Sequence, residues 1–159
     1  MYMLAFTIIC MGDCDAVDLA QATHHQLLRD FGCLLPAQEL IYGQSTPTCK
    51  LWELLYIDDH ITVGVVKRTS LKQLTRQLAV NPNVKAGDIV LDPPDYAAER
   101  MQHIMDDSHA AYIHANLERA QSKHFRNQTD FIALGTHVSS KSGWVGTPLS
   151  RRHVVATKS

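Results

Sequence analysis

The stretch LWELLYIDDHITVGVV, residues 51–66, decides the interpretation of the fold. Apolar side chains recur at every second position on both sides of a central Asp-Asp pair: Trp52, Leu54 and Tyr56, then Ile61, Val63 and Val65. Alternation of this kind is typical of β-strands. The pair Asp58–Asp59 between two such runs predicts the turn of a β-hairpin. Its two carboxylates would then lie at the end of a sheet, where water or a metal ion can reach them.

The rest of the chain alternates between helical and strand patterns. Apolar residues at helical spacing predict helices over about 13–31, 70–80 and 95–117. A strand is predicted over 3–11, and a second hairpin over 130–146, with one strand at 130–140 and a turn at Ser142-Gly143. This order predicts an α+β fold in which helices pack on an antiparallel sheet.

Composition is consistent with a globular domain of 159 residues, because 45% of them are hydrophobic and 19% are charged. The net charge of -1 does not indicate a nucleic-acid-binding protein. From Glu118 to the end, however, the chain has seven Lys or Arg residues and only two acidic residues. Such a basic end is compatible with phosphate contacts, and equally with a solvated C-terminus.

The cysteines and the N-terminus argue against a zinc-binding protein, a secreted protein and a membrane protein. There are four cysteines and no CxxC pair, and Cys10 and Cys14 with His24 or His25 match no strong zinc pattern, so free thiols are expected. The apolar N-terminus has no Lys or Arg before Arg29 and therefore lacks the basic region of a signal peptide. No run is long enough for a transmembrane helix, so we expect an intracellular location and no membrane partner.

Two adjacent carboxylates on a hairpin turn form an oxygen-rich anionic group that suits Mg²⁺. Such ions activate a 3′-hydroxyl and stabilise the leaving pyrophosphate during phosphoryl transfer. The alternative is an ordinary surface turn, because aspartate is common in turns.

Tyr56-Ile57-Asp58-Asp59 resembles the YxDD signature of reverse transcriptases, the RNA-directed DNA polymerases of retrotransposon-like elements. The segment from Tyr2 to Gln21 resembles a region of these enzymes in which a strand leads into Met-Gly and a helix follows. The resemblance implies that Gly12, Gln21 and Tyr56 contact the nucleotide or template, and that Asp58 and Asp59 bind Mg²⁺ or Mn²⁺.

Two further segments resemble the same family in the same order. ANLERAQSKHF resembles the next motif, in which Lys123 would lie near the departing pyrophosphate and act in catalysis. DFIALGTHVSSKSGWVGTP resembles the hairpin that grips the primer, with Leu134 and Gly135 at the matching positions. The resemblance implies a partial palm over residues 1–149, a basic tail over 150–159, and RNA or DNA template–primer and dNTP as partners.

The chain also departs from the family. No acidic residue precedes Gly12, whereas the family's first palm motif supplies another metal-binding aspartate upstream, and the fingers are missing. We therefore expect a fragment of a polymerase that is inactive or nearly so by itself, with the missing upstream part as a possible partner. Two alternatives stay open: a non-catalytic nucleic-acid-binding or scaffold domain with the palm fold, and a metal-dependent phosphoesterase that uses Asp58, Asp59 and His60.

Overall fold

A computed structural model of the chain describes residues 15–118 and 125–148. The chain divides into two compact units, residues 1–119 and 120–159. The predicted strand at 3–11, Gly12, Lys123 and the basic tail at 150–159 lie outside the described residues. The described elements of the first unit are α1 (Ala16–Asp30), β1 (Leu51–Tyr56), β2 (Asp59–Gly64), α2 (Arg68–Val80), a 3-10 turn (Ala86–Asp88) and α3 (Tyr96–His114). Those of the second unit are β3 (Asp130–Ala133), β4 (Thr136–Ser139) and β5 (Trp144–Gly146).

The predicted first hairpin is confirmed. β1 and β2 pair antiparallel, with Leu51 opposite Gly64 and Tyr56 opposite Asp59. The connecting loop therefore contains only Ile57 and Asp58, and Asp59 already belongs to β2.

The two faces of this hairpin differ in burial. Leu51, Glu53 and Leu55 form the buried face, while the face that carries Trp52 and Tyr56 is half-buried or exposed. The leucines of the buried face belong to the main core of the unit, which joins α1, the segment after it and α3. The core members are Leu28, Cys33, Leu34, Leu51, Leu55, Ile104 and Ala111. The most deeply buried strand face is thus the one that contains a glutamate.

The ends of the helices follow the sequence signals. α1 stops where Gly32 adopts a positive φ of 82°, a conformation that glycine accepts without steric cost. α3 starts at Asp95, whose carboxylate accepts a hydrogen bond from the Ala98 N–H at 3.4 Å. The same carboxylate accepts from the Lys67 N–H at 2.8 Å, so it also ties the start of α2 to the start of α3.

A smaller core cluster lies between α2 and α3 and consists of Leu74, Leu91 and Ala98. The extended segment that contains Leu91 is held to α2 by two glutamines. The Gln73 Nε2 donates to Asp92 O at 2.6 Å, and the Gln77 Nε2 donates to Val90 O at 2.8 Å. These contacts order a proline-rich connection that the sequence predicts only as a loop.

The second unit differs from its prediction. Residues 130–140 are not one strand, because the chain turns at Leu134 and Gly135, both with positive φ (47° and 73°). β3 and β4 flank this two-residue turn, and β5 pairs with β4, which gives a three-stranded antiparallel sheet. Side-chain alternation shifts by one position at a two-residue turn, since Ala133 faces Thr136. Four consecutive apolar residues at 131–134 hide this shift in the sequence.

The described residues are therefore a mixed α+β protein with three α-helices and two small antiparallel sheets, which confirms the predicted class. No helix within residues 15–118 and 125–148 is long and apolar enough to cross a membrane.

Candidate functional site

The tip of the first hairpin presents both predicted carboxylates. Asp58 is the second residue of the loop, and Asp59 is the first residue of β2; both are exposed. Tyr56 lies opposite Asp59 and is 57% exposed. Because facing residues of an antiparallel pair project from the same side of the sheet, the Tyr56 ring and the Asp59 carboxylate share one face. An aromatic side chain thus accompanies the carboxylates.

Gln21, predicted to contact the nucleotide or template, lies on α1 and contacts the hairpin itself. Its Nε2 donates to Leu55 O at 3.2 Å, and its Oε1 accepts from the Ile57 N–H at 2.5 Å. The amide therefore binds the backbone on both sides of Tyr56. In this structure Gln21 fixes the position of the loop that carries Asp58.

Ile57 shows why the loop needs support. Its φ is 54°, a left-handed conformation that costs a β-branched residue about 1–2 kcal/mol. The Ile57 backbone is bound at both ends, since its N–H donates to Gln21 and its carbonyl lies 2.7 Å from His24 Nδ1. Contacts from α1 thus hold the conformation that places Asp58 at the tip.

His24 is a residue whose role the sequence did not reveal, since it falls at the edge of the apolar stripe of α1. Its Nδ1 donates to Ile57 O at 2.7 Å, and its Nε2 accepts from the Tyr112 hydroxyl at 3.0 Å, an arrangement that suits the neutral ring. Burial lowers the pKa of His24, and nearby His60 adds to this, while the Ile57 carbonyl and Asp58 act in the opposite direction. His24 therefore links the hairpin tip to α3.

Glu53 lies beneath the hairpin on its buried face. Its side chain is fully buried; Oε2 accepts from the Leu34 N–H at 3.0 Å and lies 3.2 Å from His60 Nε2. Its Oε1 is buried without a hydrogen-bond partner among the described residues. The only signal in the sequence was a glutamate placed between two leucines at strand spacing. A glutamate is rarely buried on such a face unless a hydrogen-bonding or charged group pairs with it.

The position of His60 bears on the phosphoesterase alternative, which needs Asp58, Asp59 and His60 to lie together. His60 and Asp59 are neighbours on β2, so their side chains project to opposite faces, and His60 turns inward to Glu53. The described residues contain no group of three His, Cys, Asp or Glu side chains that could hold a metal ion. The structure therefore does not bring Asp58, Asp59 and His60 together as the phosphoesterase reading requires.

Leu134 and Gly135 lie at the β3–β4 turn of the second unit. The resemblance expected them to precede a turn; instead they form it. The Leu134 side chain is 45% exposed although its backbone is in the left-handed region. Leu134 therefore has an unfavourable backbone conformation and gains little from burial of its side chain. Backbone strain of this kind often occurs at functional sites, but it does not by itself assign a function.

The described cysteines are free thiols, as predicted. Cys33 belongs to the main core, and Cys49 is half-buried. Burial raises the pKa of Cys33 to about 12, with a further contribution from Glu53. Cys33 is therefore a protonated core residue rather than a nucleophile.

The site as a whole offers two exposed carboxylates on a backbone that three hydrogen bonds from α1 hold in place. Two carboxylates provide part of the oxygen shell of a hard cation, and water or phosphate oxygens must supply the remainder.

Comparison with known proteins adds no relative: no protein-family model, curated protein or solved structure matches the chain. The resemblance to reverse transcriptases stays a prediction from the sequence motifs.

Proposed function

We propose that the chain is a partial palm domain, a fragment of an RNA-directed DNA polymerase from a retrotransposon-like element, and that it has little or no activity by itself. Asp58 and Asp59 bind Mg²⁺ or Mn²⁺ for nucleotidyl transfer from a dNTP to a primer. The observation that carries the proposal is the exposure of both aspartates at the tip of an antiparallel hairpin whose loop is fixed by α1. The order of the motifs around Tyr56-Ile57-Asp58-Asp59 supports it.

In this proposal each side chain at the tip has a defined task. The cation supplies charge stabilisation for phosphoryl transfer when it is bound. Asp58 and Asp59 provide its carboxylate oxygens, and the Tyr56 ring on the same face as Asp59 offers an apolar surface to a nucleotide. Gln21 and His24 are positioning residues, because they contact the backbone of the loop and hold it in the conformation that presents Asp58.

A second candidate is a non-catalytic nucleic-acid-binding or scaffold domain with the same fold. The specific observation in its favour is that residues 15–118 and 125–148 contain no three-membered ligand group. A cation held by only two carboxylates binds weakly unless phosphates complete its shell.

A metal titration separates the two candidates. Mn²⁺ binding is followed by electron paramagnetic resonance on the wild-type chain and on Asp58→Asn/Asp59→Asn. The matched control is Asp88→Asn/Asp92→Asn, which removes the same charge from exposed positions elsewhere in the first unit. The proposal predicts binding in the wild type and the control and its loss in Asp58→Asn/Asp59→Asn. Equal binding by all three proteins rejects the metal site.

A further inference from the structure

The exposed side of α2 carries a row of cations. Arg68, Lys72 and Arg76 are four residues apart, all three are exposed, and α2 contains no acidic residue. Residues four apart lie on the same side of a helix, one turn above another. We call Arg68, Lys72 and Arg76 the α2 basic row.

The α2 basic row has no counter-charge within the described part of the chain. None of its three members forms an ion pair within 4.0 Å there, although Arg29 and Arg100 each do so in the same unit. The Asp95 carboxylate beside the start of α2 is buried and is occupied by the backbone N–H groups of Lys67 and Ala98. The row is therefore a set of cations without an ion-pair partner among residues 15–118 and 125–148.

Arg68, the first member of the row, also opposes the helix dipole. The first turn of α2 contains no acidic residue, and its last turn contains no basic residue. Cations stabilise a helix at its C-terminal end and destabilise it at its N-terminal end. Arg68 is the first residue of α2, with Lys67 immediately before it. Arg68 at this position weakens α2 and forms no ion pair with a described residue, a combination that points to a ligand outside the protein.

Spacing and surroundings identify the chemistry of that ligand. A rise of about 1.5 Å per residue separates successive members of the row by about 6 Å along the axis, which suits a regular row of anions. A membrane-surface helix needs several apolar side chains beside its cations. In α2, Leu74 is buried in the core cluster with Leu91, and Val80 at the last position is the one large apolar side chain that is exposed. The exposed residues beside the row include Thr69 and Thr75.

We propose that the α2 basic row is a binding surface for the sugar-phosphate backbone of a nucleic acid, independent of base sequence. The row lies away from the carboxylate pair. β2 runs from Asp59 at the tip to Gly64 at the other end, five steps that span about 17 Å of strand. α2 begins after that far end, at Arg68. The proposal goes beyond the polymerase assignment and does not require the metal site.

The test measures how binding to a fluorescein-labelled RNA–DNA hybrid duplex of mixed sequence depends on salt. Each phosphate contact contributes about 0.9 to the slope of log K against log [salt]. We expect Arg68→Gln/Lys72→Gln/Arg76→Gln to flatten the slope by about 2–3. Lys50→Gln/Lys85→Gln, which removes two charges from exposed sites of the first unit, should keep the slope. Glutamine has a helix propensity close to that of Lys and Arg, so α2 should persist.

Several results would overturn the proposal: no binding of the duplex by the wild type, an unchanged slope in the α2 variant, or equal flattening in the α2 variant and the control variant. Loss of binding to phosphatidylserine vesicles without any change on the duplex would assign the row to a membrane instead. If the triple variant fails to fold, Lys72→Gln alone should flatten the slope by about 1. The duplex assay contains no divalent cation, so its result does not depend on the metal site.

Discussion

Gln21 and His24 are the two side chains of α1 that hold the loop of the first hairpin. They contact Leu55 O and both backbone polar groups of Ile57. Gln21 pairs with two backbone groups, so its loss leaves the Ile57 N–H and the Leu55 carbonyl without these hydrogen bonds.

We predict that Gln21→Ala lowers the free energy of unfolding by about 1–3 kcal/mol, because two hydrogen bonds in a half-buried setting are lost. Gln26→Ala is the control, since Gln26 lies on the same helix and contacts only the exposed side chain of Asp30. It should change stability by less than about 0.5 kcal/mol. Urea unfolding measures both, and equal effects would contradict the role assigned to Gln21.

His24 gives the stability a pH dependence. Burial lowers the pKa of His24 below its ordinary value of 6.5. Between the two values the unfolded chain binds more protons than the folded chain, so this contribution to stability is complete above 6.5 and is lost as the pH falls through the folded pKa. The slope for one group reaches at most about 1.4 kcal/mol per pH unit.

We therefore predict that the urea midpoint of the wild type falls more steeply between neutral pH and pH 5 than that of His24→Gln. The comparison removes the contributions that other groups make to both proteins. Parallel curves would show that His24 is not the buried neutral imidazole described here.

At the scale of elements, the β3–β4 turn is the clearest case of a residue that does not suit its backbone. Leu134 and Gly135 both have positive φ, as a two-residue type I′ turn requires, and asparagine is favoured where leucine stands. We predict that Leu134→Asn stabilises this hairpin by about 0.5–1 kcal/mol. Hydrogen exchange of the β3 and β4 amides measures the change.

Leu134→Ala is the matched control for this prediction, because alanine keeps the Cβ atom that strains the turn and lacks the local hydrogen bonding of asparagine. It should give no gain. Slower exchange in Leu134→Ala as well, or unchanged exchange in Leu134→Asn, would show that strain at Leu134 does not limit the stability of this hairpin.

Patterns that repeat along an element were predictable from the sequence, and contacts between distant residues were not. Period-two alternation located β1 and β2, and the glycine after α1 marked its end. The turn at Leu134 was missed, because four consecutive apolar residues at 131–134 hide the shift in alternation that the turn introduces. The aspartate pair was visible as a motif, but the support from His24 depends on packing 33 residues away in the chain.

At the scale of the whole molecule, the proposed cation site depends on the two exposed carboxylates of Asp58 and Asp59. The described residues offer no third ligand beside them, so occupancy should depend on phosphates. We predict no robust dNTP incorporation by this chain alone on a primer–template with Mg²⁺. A primer-extension assay that showed sustained synthesis, abolished by Asp58→Asn, would contradict this expectation and show that a complete catalytic site exists.

The central claim is that Asp58 and Asp59 bind a cation together with nucleotide phosphates. The most direct measurement is Mn²⁺ affinity by electron paramagnetic resonance, with and without primer–template and dNTP, in the wild type and in Asp58→Asn/Asp59→Asn. We predict that the nucleotide tightens Mn²⁺ binding to the wild type about tenfold or more beyond what the free nucleotide binds, and leaves the variant unchanged. Equal and negligible binding by both proteins would contradict the claim and leave the hairpin tip without a role in metal-dependent chemistry.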